Sequence, residues 1–225
     1  MQLNTIKEKL LIGNICVCIA NVDSSIIDHI LKDCYLAELR LDLLKISNLN
    51  TEKLFKTGKS LIVTYRQGNE SIQTRIDVLS KAIKEGANYI DLDLNEDGGL
   101  IKELITLAHQ YDVKVIVSYH NFNETPGWEK LKEIVEKCQS LGADIVKIAC
   151  KVNQSEDLIW LSGLYNNYEN ILSFGMGKLG ISSRILAPVF GAPFTYAHHR
   201  LSEPTAPGQY ELNHLIEIYK SMGYY

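Results

Sequence analysis

The pattern of apolar runs predicts an α/β fold of the (β/α)8 TIM-barrel type, formed as one domain over residues 1–225. Three observations predict it. Short runs rich in β-branched residues recur at fairly even spacing, and amphipathic stretches of helical period lie between them. No linker, low-complexity segment or internal repeat divides the chain. Unusual polar residues fall toward the ends of the strand-like runs, where barrels of this kind hold their sites. About eight such units suit a fold that usually needs about 250 residues. A doubly wound open sheet is the structural rival. Its usual mark, a glycine-rich turn after the first strand, is missing, because Ala20 is followed by Asn21-Val22-Asp23-Ser24.

The expected strands are, in order, Ile15–Ala20, Ala37–Asp42, Ser60–Tyr65, Tyr89–Leu94, Lys114–His120, Asp144–Ala149, Ile171–Gly175 and Pro193–Ala197. Between the third and fourth, Ile72, Ile76, Leu79 and Ile83 step by three and four residues, which predicts a helix over Ser71–Glu85. Gly86-Ala87 and Gly142-Ala143 sit where helix C-terminal caps belong, each just before a strand. Leu212–Met222 is expected to be the closing helix. The dozen or so residues before the first strand either form a hairpin or are too short to do so.

Composition narrows the function classes. Hydrophobic residues make up 46% and charged residues 22%, with a net charge of −4. That balance supplies no basic field, so nucleic-acid binding is disfavoured. No apolar stretch approaches the ~18 residues that span a bilayer, and Met1 to Leu11 lacks the apolar core of a signal peptide. Five scattered cysteines, Cys16, Cys18, Cys34, Cys138 and Cys150, form no CxxC pair and do not look like a disulfide framework. Cys16 and Cys18 could ligate a metal from one strand face, but buried thiols are the commoner case. The expectation is a reduced, cytoplasmic, soluble protein with no metal.

Lys147 is the most telling single residue. It lies inside Asp144-Ile145-Val146-Lys147-Ile148-Ala149, a run that reads as a strand buried on both faces. Strand lysines are mostly solvated at an edge, yet the apolar neighbours here weaken that reading. Loss of hydration favours the free amine, which attacks carbonyls. Val115–His120 ends on His120, a candidate base, with Ser118 on the same face.

Other polar residues gather at the same end. Glu38, Arg40 and Asp42 alternate along the second strand and so share a face. Leucines 39, 41 and 43 are then expected to pack against helices. The charged face implies an internal ion-pair network, a polar ligand, or both. Arg66 follows the third strand, and Asp91 and Asp93 alternate on the fourth. Without a histidine at ligand spacing, the two aspartates suit an ion pair with an arginine better than a metal. Gly175-Met176-Gly177-Lys178-Leu179-Gly180 lacks Walker spacing and reads as a tight loop delivering Arg184, whose fork can hold a carboxylate. Thr205-Ala206-Pro207-Gly208-Gln209 has the composition of a turn or mobile lid.

With those pieces in place, the chain resembles type I 3-dehydroquinate dehydratase of the shikimate pathway over essentially its whole length. The matching pieces are Glu38-Leu39-Arg40-Leu41-Asp42, Thr64-Tyr65-Arg66 with Glu70, Ser118-Tyr119-His120-Asn121-Phe122 and Val146-Lys147-Ile148. Gly177-Lys178-Leu179-Gly180 through Ser183-Arg184, Phe190-Gly191 and Ala206-Pro207-Gly208-Gln209 complete the set. The resemblance implies cofactor-free dehydration of 3-dehydroquinate to 3-dehydroshikimate through an imine. In that scheme Lys147 forms the Schiff base, His120 is the general acid/base, and Glu70 orients it. Arg184 grips the substrate carboxylate, with Thr205 and Gln209 nearby, while Glu38, Arg40 and Arg66 hold ring hydroxyls. The family also implies a homodimer.

Five positions depart from the usual family pattern: Asn121 for aspartate, Asp93 for glutamate, Phe174 for methionine, Tyr196 for phenylalanine and Thr205 for serine. Asn121 is expected to lower the His120 pKa by removing a carboxylate. Two other functions share parts of the pattern. A class I aldolase would use the same lysine but bind phosphate at the last two loops. A ligand sensor of quinate metabolism need not keep Lys147 and His120, and would carry further domains, as would a fusion with shikimate dehydrogenase.

Overall fold

The computed structural model describes residues 14–44, 51–68 and 70–224. Among the described residues eight parallel strands form the frame: β1 (Ile15–Ile19), β2 (Leu36–Arg40), β3 (Ser60–Thr64), β4 (Tyr89–Asp93), β5 (Lys114–Asn121), β6 (Ile145–Lys151), β7 (Ile171–Met176) and β8 (Thr195–His198). A two-residue strand, β9 (Tyr210–Glu211), pairs with β8 and was not expected from sequence. Helices α1 (Ser24–Lys32), α2 (Thr51–Phe55), α3 (Ile72–Lys84), α4 (Gly98–Gln110), α5 (Trp128–Ser140), α6 (Ser155–Asn167), α7 (Ile181–Leu186) and α8 (Leu212–Ser221) intervene. The N-terminal hairpin position falls outside the described residues.

The ladder runs β7-β6-β5-β4-β3-β2-β1-β8-β9, every pair parallel, so the sheet curls as a barrel does. Among the described residues β7 and β8 share no ladder. Helix α7 joins them instead: Ser183 Oγ accepts from Gly175 N of β7 at 2.7 Å, and Thr195 Oγ1 of β8 donates to the Arg184 carbonyl at 2.7 Å. Gly175 and Gly180 permit that docking. A Cβ on Gly180 would lie 2.4 Å from the Gly175 carbonyl carbon, so both positions need the bare backbone.

Local chemistry accounts for several element ends. Ser71 caps α3 by accepting from Thr74 N, and Asp97 caps α4 through Gly99 N and Leu100 N. Gly86 and Gly142 follow α3 and α5 with φ near +100°, as expected of helix-terminating glycines. β8 starts at Thr195 rather than Pro193, since proline has no N–H for the ladder; Thr195 N donates to Asn14 O.

Two apolar clusters divide the interior. The outer one, between sheet and helices, contains Leu39, Leu41, Val63, Ile90, Val117 and Ile148. Leu43 departs from expectation: it lies past the end of β2, where the alternation stops, and is 38% exposed. The inner cluster includes Leu36, Ile62, Ile116, Ile145 and Leu172, one from each of five strands. Side chains two residues further along each strand share that inward face. On four of these strands the next position up is Glu38, Thr64, Ser118 or Lys147, joined by Asp91 from β4. The barrel is therefore apolar at its floor and polar at its C-terminal mouth.

Candidate active site

The mouth encloses a cavity of about 400 Å³. Of the residues expected in the site, Glu38, Arg40, Arg66, His120, Lys147, Arg184, Thr205 and Gln209 all line it. Glu70 does not; it is exposed, with its carboxylate beside Gly68.

Lys147 is 6% exposed, as its apolar strand predicts. Its Nζ donates to Asp91 Oδ2 at 2.9 Å and meets the Tyr196 hydroxyl at 3.4 Å. Asp91 is shared: Arg66 Nη2 reaches Oδ1 at 2.8 Å and Ser118 Oγ donates to the same oxygen at 2.7 Å. Burial pushes the Asp91 carboxyl up, but Arg66, Lys147 and His120 outweigh it, leaving the group well below the usual carboxylate range. Burial likewise acts to lower Arg66, and Asp91 and Asp93 more than reverse that. The ion pair with an arginine expected for the aspartates is present. Their contacts with Lys147 and His120 were missed in the sequence, where alternation on β4 was the available signal.

His120 Nδ1 lies 2.9 Å from Asp93 Oδ2. A carboxylate only accepts, so Nδ1 carries the proton and Nε2 the lone pair. Asp93, not Glu70, thus holds the imidazole in this structure. Burial lowers the His120 pKa below its ordinary value; the Asp93 hydrogen bond pushes back, while Arg66 and Lys147 add to the lowering. Asn121 does not face the imidazole. Its Oδ1 accepts from Asn123 N and Glu124 N, capping the loop after β5, so the carboxylates that act on His120 are Asp93 and Asp91. Phe122 stacks beside the imidazole, ring centroids 6.2 Å apart.

The remaining polar wall splits into engaged and free groups. Glu38, 4% exposed, accepts from Thr64 Oγ1 at 2.7 Å and from the Cys18 thiol at 3.1 Å. Arg40 is held by Asp42 through Nε at 3.0 Å and Nη2 at 2.7 Å. Gln209 is turned inward, donating to Cys18 Sγ and Ala197 O and accepting from Thr205 N. Arg184 is 2% exposed, yet its Nε and Nη2 have no hydrogen-bond partner. Its guanidinium lies 4.4 Å from the Phe174 ring centroid, and burial pushes its pKa down to about 10. A buried cation with unused donors lining a cavity suits an anionic group such as a carboxylate.

Among the described residues no three His, Cys, Asp or Glu side chains gather as a metal-ligand set, and no helix is long and apolar enough to cross a membrane. All five cysteines are free thiols.

Fold and site define a β/α-barrel enzyme with a buried lysine and a carboxylate-held histidine at its C-terminal mouth. The family model for type I 3-dehydroquinase matches residues 15–225, and the chain belongs to that family of hydro-lyases. The 3-dehydroquinate dehydratase of Methanocaldococcus jannaschii is 36% identical over 197 residues, covering 83% of this chain and 87% of that one. The counterpart from Thermodesulfovibrio yellowstonii is 34% identical over 205 residues, covering 86% and 88%. Among solved structures, the Aquifex aeolicus 3-dehydroquinate dehydratase superposes with a TM-score of 0.79 at 28% identity, covering 92% of this chain and 97% of that one.

Proposed function

We propose that this chain dehydrates 3-dehydroquinate to 3-dehydroshikimate through an imine on Lys147. The observation that carries the reading is one cavity shared by a buried amine, an imidazole with Nε2 unpaired by Asp93, and an arginine with two unused donors. The substrate has matching groups: a ketone, an acidic C–H beside it, a hydroxyl to expel and a carboxylate.

Lys147 attacks the ring ketone and water leaves, giving a protonated imine that acts as an electron sink. His120 Nε2 removes the neighbouring proton, and the C–H electron pair moves to form an enamine. The enamine then expels the ring hydroxyl, which takes a proton from His120 and departs as water. Hydrolysis of the conjugated imine releases the enone and restores the amine. Asp93 orients His120, a role that the resemblance would give to Glu70. Arg184 pairs with the substrate carboxylate, near Thr205 and Gln209. Glu38, Arg40 and Arg66 take the ring hydroxyls, Arg40 and Glu38 already being braced by Asp42 and Thr64.

The free thiols suit a reducing, cytoplasmic setting. Exposed Ile159, Val189 and Phe190 supply apolar surface suited to the homodimer of the family reading. The test is purified protein with 3-dehydroquinate, followed by the growth of enone absorbance. Turnover of the acid, with none on phosphorylated sugars, supports the dehydratase over an aldolase. Absence of enone from folded protein overturns it.

A further inference from the structure

We propose that Tyr196 is a further catalytic residue, its hydroxyl hydrogen-bonding the substrate oxygen while the imine is made and hydrolysed. The proposal rests on the imine reading above and adds a residue to it.

The argument starts from what surrounds Lys147 Nζ. Its hydrogen-bond partners among the described residues are Asp91 Oδ2 at 2.9 Å and the Tyr196 hydroxyl at 3.4 Å. Asp91, held ionised by Arg66 and Lys147 against the pull of burial, can only accept. Burial first, and then the Glu38 carboxylate, push the Tyr196 phenol well up, so it keeps its proton. The Tyr196 oxygen accepts from Nζ, which leaves its own O–H to donate to a substrate atom beside the reacting nitrogen. His120, on β5, pairs in register with Ala149, two residues along β6 from Lys147, near enough for the two groups to act on each other.

The ring cannot swing away. Tyr196 is 3% exposed and meets Phe174 edge-on at 6.1 Å and Phe194 at 5.4 Å. Nζ also lies 4.5 Å from the Tyr196 ring centroid, so nitrogen and ring are held together. The hydroxyl is thus fixed at the one atom where the chemistry begins.

The step balances without an external reagent. Lysine ammonium and ketone become protonated imine and water, two nitrogen protons leaving with the oxygen. Nζ first gives a proton to His120 Nε2. Its lone pair then forms the C–N bond as the carbonyl π pair moves to oxygen, which is attached to the same carbon as Nζ. His120 passes that proton and a second one from nitrogen to the oxygen that leaves as water. Negative charge therefore develops beside the phenol, where a preorganised donor stabilises the transition state more than the ketone. Tyr196 lends a hydrogen bond and retains its proton. Tyr196 then serves the C–O bond of the ketone through its hydrogen bond, while His120 carries the protons of imine formation and of the elimination.

Tyr196→Phe keeps the ring contacts and removes only the donor. Rapid mixing with 3-dehydroquinate, quenching in borohydride and mass analysis measure how fast the Lys147 adduct forms. The variant is expected to form it about tenfold more slowly, since a hydrogen bond to a developing charge is worth on the order of 1.4 kcal/mol. The kinetic isotope effect on kcat with substrate deuterated at the abstracted position should fall toward one, because imine formation and hydrolysis then limit turnover. A structural defect alone would not move that isotope effect. Wild-type labelling at Lys147, with equal adduct rates and isotope effects in Tyr196→Phe, overturns the Tyr196 role and leaves the imine reading intact. No label in active wild-type protein overturns both.

Discussion

Lys147 Nζ lies 2.9 Å from Asp91 Oδ2, and the same carboxylate binds Arg66 on its other oxygen. The nucleophile of the proposed reaction is thus seated in a buried ion network on the floor of the mouth. That seating answers the cost of placing an ammonium among Val146, Ile148 and Ala149, because a buried charge persists only when it is paired.

Asp91→Ala removes the anion and leaves two cations facing one another, so it is expected to cost about 3–5 kcal/mol at neutral pH. The pH dependence follows from sign. The folded-state pKa of Asp91 is depressed, so its contribution is present above the unfolded value near 3.9 and fades as pH falls below it. Urea unfolding at pH 7 and at pH 3 checks this: the gap between wild type and variant should be larger at pH 7.

His120 must be neutral at Nε2 to take a proton. Burial holds its pKa below the ordinary value of about 6.5, so the acidic limb of kcat/KM is expected below that pH. Asp93→Asn deletes the contact that pushes the pKa back up, and should move the limb further toward acid. It should also lower kcat roughly 10–100-fold, the usual loss when an orienting partner is removed. Glu70→Gln should leave the limb in place. A larger shift from Glu70→Gln than from Asp93→Asn would return the orienting role to Glu70.

Arg184→Lys is expected to raise KM at least about tenfold with a smaller change in kcat, since an ammonium cannot reproduce a bidentate carboxylate grip. Because burial lowers the Arg184 pKa to about 10, the wild-type KM should also climb as pH passes 10 and the charge is lost. Steady-state kinetics over pH report both effects.

Gly180→Ala places a methyl group 2.4 Å from the Gly175 carbonyl carbon, where neither backbone has room. An overpacking cost of about 1–3 kcal/mol should appear as a lower melting temperature. Since α7 carries Arg184 from this junction, KM should rise as well. Gly177→Ala, with nothing within 4 Å of its Cβ but a φ of +79°, separates backbone strain from collision.

Much of this was legible in the chain because barrel strands write their two faces in alternation. Leu39 and Leu41 against Glu38 and Arg40 told which face met the helices, and the rule failed at Leu43 once the strand had ended. Lys147 stood out because apolar Val146 and Ile148 on either side weaken the commoner reading of a solvated strand-edge lysine. What stayed hidden depends on neighbours across the sheet. Asp91 and Lys147 are 56 residues apart, and Tyr196 and Lys147 are 49 apart; no local pattern joins them. The same holds for His120, whose partner could be Glu70 or Asp93 until the register of β4 and β5 is known. The β7–β8 seam was also unreadable, as it rests on the glycines that let α7 approach.

The measurement that bears most directly on the account is intact-protein mass spectrometry after 3-dehydroquinate and borohydride, with peptide mapping and a Lys147→Ala control. The expected result is one reduced ligand on the wild type, mapped to Lys147, and none on the variant, which should retain its fold and lose turnover by a factor on the order of a thousand or more. An unmodified wild type that still forms enone, or a Lys147→Ala protein that keeps most of its activity, would contradict catalysis through an imine at this lysine.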